Sequence, residues 1–221
     1  RHTCALDDTG VVCWGNNSDG QATVPSLANP SQVSAGYLHT CALDDTGVVC
    51  WGSDSYGQTT VPSLTNPSQV SAGSYHTCAL DDAGMVCWGR NEYGQTNVPL
   101  LANPTEISAG GYHTCALDDT GVVCWGRNNH GQATVPSLAN PSQVSAGGYS
   151  HTCAVANTGV VCWGSNADGI SIVPDLVIDP DGDGYNNQGG LDNFPLDATE
   201  WLDTDSDGIG DNADTDDDGD G

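Results

Sequence analysis

Alternating aspartates near the C-terminus are the residues whose types and spacing point most directly to chemistry. The pattern Asp-x-Asp-x-Asp-Gly begins at Asp179, Asp203 and Asp214. Oxygen atoms at alternate positions of a loop that turns sharply at glycine are the ligands that calcium prefers. The sequence therefore predicts calcium binding. An acidic, disordered segment is the alternative, but it would not require the fixed register of aspartate and glycine.

The middle loop offers the most complete set of ligands. With Asp203 as position 1, its side chains and the carbonyl of Ile209 reproduce the spacing of an EF-hand loop, with Asp214 in place of the usual glutamate. The first loop would need Asp192 as an additional ligand, and the third loop has an incomplete set of ligands. The predicted metal ligands are Asp179, Asp181, Asp183, Asn187, Asp192, Asp203, Asp205, Asp207, Ile209, Asp211, Asp214, Asp216 and Asp218.

Histidine and cysteine supply a second set of potential metal ligands. A His-Thr-Cys sequence begins at residues 2, 39, 76, 113 and 151, and a Cys-Trp-Gly sequence begins at residues 13, 50, 87, 124 and 162. Eight residues separate the two cysteines of each copy, and no Cys-x-x-Cys spacing occurs, so zinc is the weaker alternative. These markers instead define five copies of a unit of about 37 residues, which predicts an array of stacked repeats.

Each copy begins with a predicted β-hairpin. In the first copy, two apolar segments flank Asp7-Asp8-Thr9-Gly10, which is typical of a tight turn. If the connection has an even number of residues, the two cysteines lie opposite each other at a distance that a disulfide tolerates. An odd connection or a bulge would shift this register. The predicted bridges are Cys4–Cys13, Cys41–Cys50, Cys78–Cys87, Cys115–Cys124 and Cys153–Cys162, and they require an oxidising compartment.

The remainder of each copy predicts two further short strands, one ending at Val24-Pro25 and one at Gln32–Ala35, so that each copy has about four strands. The strings Val-Ser-Ala-Gly, His-Thr-Cys-Ala-Leu and Gly-Val-Val-Cys-Trp-Gly, followed by Gly-Gln, resemble the repeat of the regulator of chromosome condensation family, in its secreted bacterial, cysteine-bearing form. This resemblance covers residues 1–174 and implies an all-β fold, a β-propeller-like array.

That family commonly has seven blades, whereas five copies are visible here. Missing blades, a smaller ring and strand exchange between molecules are the open explanations, and we expect the chain to be part of a larger protein or assembly. Residues 175–221 form a second predicted domain, an irregular tail with calcium bound. Its segment Asp192–Pro195 and the aspartate-rich loops are similar to thrombospondin type 3 repeats, although Phe194 stands where that family often has cysteine.

The positions that differ most between copies are the four residues before each Gly-Gln and the residues just before each His-Thr-Cys. The second set supplies Tyr37, Tyr75, Tyr112 and Tyr149. In a propeller the loops before each Gly-Gln would lie on one face. Tyrosine and arginine among polar residues are suited to contacts with a protein or a glycan. The alternative is drift in solvent-exposed loops. The candidate binding residues are Tyr56, Arg90, Tyr93, Arg127 and His130.

Charge narrows the classes of partner and function. The formal net charge is −26, which argues against nucleic acid, and no apolar run is long enough for membrane insertion. The sequence has no nucleophile with a neighbouring base, no phosphate-binding loop and no pair of acids outside the calcium motifs, so we do not expect an enzyme. We therefore expect a secreted or cell-surface calcium-binding protein that recognises an extracellular protein or glycan. The alternative is a subunit of an extracellular filament or surface layer that binds copies of itself.

Overall fold

A computed structural model of the protein describes residues 2–148 and 150–173. These residues form fourteen β-strands and one short 3-10 helix, Ala167–Gly169. No described residue belongs to a helix that is long and apolar enough to cross a bilayer. The predicted calcium ligands and Tyr149 lie outside the described residues. The body is all-β, as the repeat pattern predicts.

Every repeat contributes one antiparallel hairpin. The five hairpins are β1–β2 (His2–Asp7 and Gly10–Gly15), β4–β5 (His39–Asp44 and Gly47–Gly52), β7–β8 (His76–Asp81 and Gly84–Gly89), β10–β11 (His113–Asp118 and Gly121–Gly126) and β13–β14 (His151–Ala156 and Gly159–Gly164). A short strand pairs with the first strand of each hairpin after the first. These four inner strands are β3 (Gln32–Ala35), β6 (Gln69–Ala72), β9 (Glu106–Ala109) and β12 (Gln143–Ala146).

The predicted hairpin register and the disulfides are confirmed. Asp7 pairs with Gly10, so the turn is the two-residue Asp8-Thr9, and Cys4 pairs with Cys13. The Cα atoms of these cysteines are 4.1 Å apart, and the other four copies have the same arrangement. No cysteine is free. The zinc alternative is therefore wrong, because no thiolate is left to bind the metal.

The prediction of four strands in each repeat is wrong, since the sheets have three strands and the first has two. The segment expected to form the additional strand begins with a turn instead. In the first repeat the N–H of Thr23 donates to the carbonyl of Gly20, and the N–H of Ala22 donates to the side chain of Asn17. These local bonds occupy the backbone groups that a strand would offer to a sheet, and Pro25 has no N–H to donate.

Neighbouring repeats are joined by a chain of directional hydrogen bonds at their interface. The hydroxyl of Thr77 donates to the carbonyl of Gln58 in the preceding repeat at 2.8 Å, and the indole N–H of Trp88 donates to the same oxygen at 3.0 Å. Because its proton is committed to that carbonyl, the Thr77 oxygen must accept a hydrogen bond from Nε2 of His39, 2.9 Å away. This network places a proton on Nε2 of the histidine.

The same network recurs along the array, which explains why a threonine, a histidine and a glutamine occur at equivalent positions of the repeats. Thr40, Thr114 and Thr152 donate to the equivalent glutamine carbonyls. The residues that take part are fully buried, although they are polar: the histidines His39, His76 and His113, the threonines Thr40, Thr77, Thr114 and Thr152, and the glutamines Gln21, Gln58, Gln95 and Gln132, which contribute their backbone carbonyls. A buried polar group is tolerated when it is hydrogen-bonded, so this ladder defines how one repeat stacks on the next.

Candidate functional face

The loops before each Gly-Gln lie at one end of the hairpins, and the Asp-Asp turns lie at the other. In the second repeat His39 pairs with Gly52, where the loop begins, whereas the turn follows Asp44 at the opposite end. Ser53 then donates its backbone N–H to the carbonyl of Leu38 at 2.9 Å. Equivalent bonds hold the next three loops beside the residue that precedes a histidine, at Arg90, Arg127 and Ser165. The two sets of variable positions therefore share one face, which the sequence predicted only for the loops.

The buried glutamine also shapes each loop. The side chain of Gln58 accepts the N–H of Tyr56 at 2.8 Å, and Gln95 does the same for Tyr93 at 2.9 Å. These bonds hold the residue two positions before the glutamine on the outer surface. Tyr56 is 47% exposed and Tyr93 is 39% exposed. The interface glutamine therefore both joins two repeats and presents an aromatic ring.

Five tyrosines come together on this face. A central row consists of Tyr37, Tyr75 and Tyr112, whose ring centroids are 5.7 Å and 5.9 Å apart. The loop residue Tyr56 packs against Tyr75 at 5.5 Å, and Tyr93 packs against Tyr112 at 5.6 Å, both in edge-to-face geometry. Each loop tyrosine thus contacts the row residue of the next sheet. Such ring pairs stabilise one another beyond their buried area.

Arginines from two successive loops stack on these rings. The guanidinium carbon of Arg90 lies 4.9 Å from the centroid of Tyr56 and 5.4 Å from those of Tyr75 and Tyr112. Arg90 also forms an ion pair with Glu92 of its own loop. The hydrogen bond and the charge of that carboxylate raise the pKa of Arg90, so it stays protonated. We refer to the cluster as the tyrosine–arginine face, which consists of Tyr37, Tyr56, Tyr75, Arg90, Glu92, Tyr93, Tyr112 and Arg127.

The second arginine, Arg127, lies one repeat further along. Its guanidinium carbon is 5.4 Å from the centroid of Tyr93 and 5.6 Å from that of Tyr112. No ion pair holds this arginine within the described residues, where the pair between Arg90 and Glu92 is the only one. Its Nε atom is buried and has no hydrogen-bond partner among those residues. The two arginines therefore have similar aromatic surroundings but different charge surroundings.

The structure brings together four of the five candidate binding residues and leaves one apart. His130 takes the loop position equivalent to Tyr56 and Tyr93 and is exposed, but it makes no ring contact with the tyrosine row in the described part of the chain. Sequence reasoning left Glu92 out of the candidate set. Its position two residues after Arg90, in the same variable loop, was the available signal.

A cavity of about 680 Å³ adjoins this face, and Tyr37 and Ser150 are among the residues that line it. Its wall is otherwise formed mainly by alanines and glycines of the inner strands and the turns that follow them, such as Ala72 and Gly73. It also includes His2 of the first hairpin and Ile170 of the last repeat, so the repeat body curves around it.

No cluster of three or more histidine, cysteine, aspartate or glutamate side chains suited to a metal was found within residues 2–148 and 150–173. The predicted calcium ligands lie outside this part of the chain. Calcium binding by the aspartate-rich tail therefore stays a prediction from the sequence.

Comparison with known proteins gives a consistent result for the repeats. The sequence profile described as "Regulator of chromosome condensation (RCC1) repeat" matches residues 1–21, 31–58, 68–95, 105–132 and 142–170. No curated protein gave a significant match.

Among solved structures, the ectodomain of the Physcomitrella patens receptor kinase CR4 is 30% identical, with a TM-score of 0.64 over 78% of this chain and 52% of that chain. The CRINKLY WD40 ectodomain of the Arabidopsis thaliana receptor kinase ACR4 is also 30% identical, with a TM-score of 0.61 over 74% of this chain and 65% of that chain. Prp20p from Saccharomyces cerevisiae is similar in fold, with 20% identity and a TM-score of 0.61 over 74% of this chain and 55% of that chain. The chain thus spans between half and two thirds of these structures.

Proposed function

Because this chain belongs to the regulator of chromosome condensation (RCC1) repeat family, we propose that it is a non-enzymatic recognition module of the extracellular space, which binds a protein or a glycan through its tyrosine–arginine face. The aspartate-rich tail is then a spacer that calcium makes rigid. The convergence of Tyr56, Tyr75, Arg90, Tyr93 and Arg127 on one face carries this proposal.

The covalent chemistry supports an extracellular location. Five disulfides within 221 residues form and persist where the redox environment is oxidising. Two of the similar structures are ectodomains of receptor kinases, which agrees with such a location. The study of Prp20p describes binding to Gsp1p and histones, but a fold does not determine a partner.

The composition of the face favours recognition over drift in exposed loops. Tyrosine and arginine provide most of the binding energy in many interfaces, because they offer a large, stiff surface with polar ends. Here the two types are in contact, and the central row residues are partly shielded by their neighbours. Loops that drift without constraint have no reason to place two arginines over the rings of successive repeats.

Replacing Arg90, Tyr93 and Arg127 together by alanine is expected to weaken partner binding at least about tenfold, which corresponds to roughly 1.4 kcal/mol. The measurement is binding of the full chain to an array of glycans and a panel of purified extracellular proteins. The control replaces Asp45, Asp82 and Asp119 by asparagine, which alters three turns at the other end of the hairpins. Equal binding by the alanine variant and the parent chain would contradict a role for this face.

Removing calcium with a chelator is expected to make the tail, residues 175–221, sensitive to protease while the repeat body remains resistant. Without the metal, closely spaced carboxylates repel one another, whereas the body is held by disulfides. Limited proteolysis with and without calcium tests this, and magnesium added in place of calcium serves as the control. An unchanged digestion pattern would contradict calcium binding.

Polymers seen by electron microscopy in calcium, and dispersed by the chelator, would favour the filament alternative.

A further inference from the structure

We propose that the outer edges of the sheets form a second binding surface, which takes up an extended, basic peptide of another protein as an additional strand. This surface is separate from the tyrosine–arginine face, and the inference does not rest on the proposed function. The second repeat, whose outer strand is β5, shows the arrangement.

Strand β5 is an open edge of its sheet. In the strand order β3-β4-β5 it has one neighbour. The Cα atoms of Cys41 and Cys50 are 4.1 Å apart, which is typical of the closer pairs of an antiparallel ladder, whose backbone N–H and C=O groups point away from each other. On β4 the groups that point away bond to β3. On β5 the equivalent groups of Val48 and Cys50 point outward, and within residues 2–148 and 150–173 no hydrogen bond reaches them.

This edge lacks the protection that sheet proteins commonly give to an unpaired strand. Charged side chains, proline and bulges usually prevent pairing with another chain. Strand β5 reads Gly-Val-Val-Cys-Trp-Gly, without charge or proline, and its register with β4 is continuous from Gly47 to Gly52. The disulfide between Cys41 and Cys50 also holds the strand extended before anything binds, which reduces the ordering cost of binding.

A cavity of about 430 Å³ lies beside the same edge. Gly47 and Val48 line it on one side, and Val61, Pro62 and Leu64 of the following segment line it on the other. This segment passes the edge without pairing with it, and Pro62 has no N–H to offer. The first repeat has an equivalent cavity of about 420 Å³. An added strand would therefore find space at the edge and apolar side chains to contact.

The charge at this cavity favours a basic peptide over a second copy of the chain. Asp44 and Asp45 also line the cavity. Asp45 is exposed, and among the described residues only its Oδ2 accepts a hydrogen bond, from Asn29. Arg90 and Arg127 lie at the other end of the hairpins, and a second copy with the same net charge of −26 would be repelled. Lysine or arginine in the added strand would instead pair with the turn carboxylates, while backbone bonds hold the strand.

Isothermal titration of the full chain in calcium with the end-blocked hexapeptide Lys-Val-Lys-Val-Lys-Val tests the proposal. One comparison peptide has every backbone nitrogen methylated, which keeps the charge but removes the donors, and the other has glutamate in place of lysine. We expect both to bind at least about tenfold more weakly. In the complex with the first peptide, hydrogen exchange should slow at the amides of Val48 and Cys50.

Two protein variants separate the two surfaces. Replacing Asp45, Asp82 and Asp119 together by asparagine should weaken peptide binding at least about threefold, because each turn loses an exposed charge. The alanine variant of Arg90, Tyr93 and Arg127 should bind the peptide as the parent chain does. For a partner of the tyrosine–arginine face we expect the opposite losses.

Four results would overturn the inference. Equal affinity for the methylated peptide would show attraction between charges alone, including attraction to the aspartate-rich tail. Peptide binding that is lost in the alanine variant would belong to the tyrosine–arginine face. Dimers or polymers of the free chain with slow exchange at Val48 and Cys50 would assign the edge to a second copy. If the hexapeptide does not bind but the alanine variant still loses a partner on the array, this inference fails and the proposed function stands.

Discussion

Lowering the pH from about 7 to about 4.5 is expected to destabilise the repeat body by several kcal/mol, because its stacked histidines must stay neutral. His39, His76 and His113 are fully buried between repeats. Burial is the main cause that lowers the pKa of each, to about 4 for His39, about 3 for His76 and about 4 for His113. Repulsion between neighbouring histidines lowers the pKa values further.

The direction of the effect follows from proton uptake. In the unfolded chain these histidines have the ordinary pKa of 6.5, so below that pH the unfolded state binds protons that the folded state does not. Stability is therefore complete above pH 6.5 and falls as the pH drops towards the folded pKa values. Each unit of difference in pKa corresponds to about 1.4 kcal/mol, so three such groups make the decrease steep.

Denaturant unfolding of the full chain with its disulfides intact, measured across this pH range, provides the test. His76→Gln should reduce the slope of stability against pH, even though it also lowers stability at neutral pH by removing the bond to Thr114. The matched control is His130→Gln, which changes an exposed histidine and should leave the slope as it is. A slope in the His76 variant equal to that of the parent chain would show that the buried histidines do not govern acid sensitivity.

The covalent framework could be predicted from the sequence because it depends on local spacing alone. A two-residue turn places Cys41 opposite Cys50, and no other part of the chain affects that register. The number of strands could not be predicted in the same way. The segment after Gln58 has residues typical of a strand. However, the carbonyl of Gln58 accepts hydrogen bonds from Thr77 and Trp88 of the next repeat. These bonds form only between stacked repeats, so they cannot be predicted from the sequence of one repeat.

The candidate face was predictable in location but not in organisation. Variation between the repeats indicated which loops to consider, including those with Arg90 and Tyr93. The contacts themselves cross from one sheet to the next, since Tyr56 contacts Tyr75 and Arg90 contacts Tyr112. An alignment of repeats compares equivalent positions and contains no information on this offset. The pairing of Arg90 with Glu92 depends on side-chain direction and was likewise not evident.

Gly89 lies at a hairpin end that supports this face, and no side chain fits at its position. It has φ of +98°, and a Cβ atom built there would lie 2.8 Å from the carbonyl oxygen of Tyr75 and 2.9 Å from the Cα of His76. Both atoms belong to the backbone, so neither can move without disturbing the strand pair. The same carbonyl accepts the N–H of Arg90 at 2.9 Å, which positions that arginine on the face.

Gly89→Ala is therefore expected to lower the free energy of unfolding by about 3 kcal/mol or more, through backbone strain and the loss of the Arg90 bond. Gly57→Ala is the matched control. Gly57 also has a positive φ, +75°, but nothing lies within 4 Å of its added Cβ, so only the cost of the left-handed conformation remains, about 1 kcal/mol. Denaturant unfolding of both variants with disulfides intact measures the difference. Equal losses of unfolding free energy in the two variants would show that the hairpin end moves to accommodate the methyl group. The backbone at Gly89 would then not hold the tyrosine–arginine face rigidly.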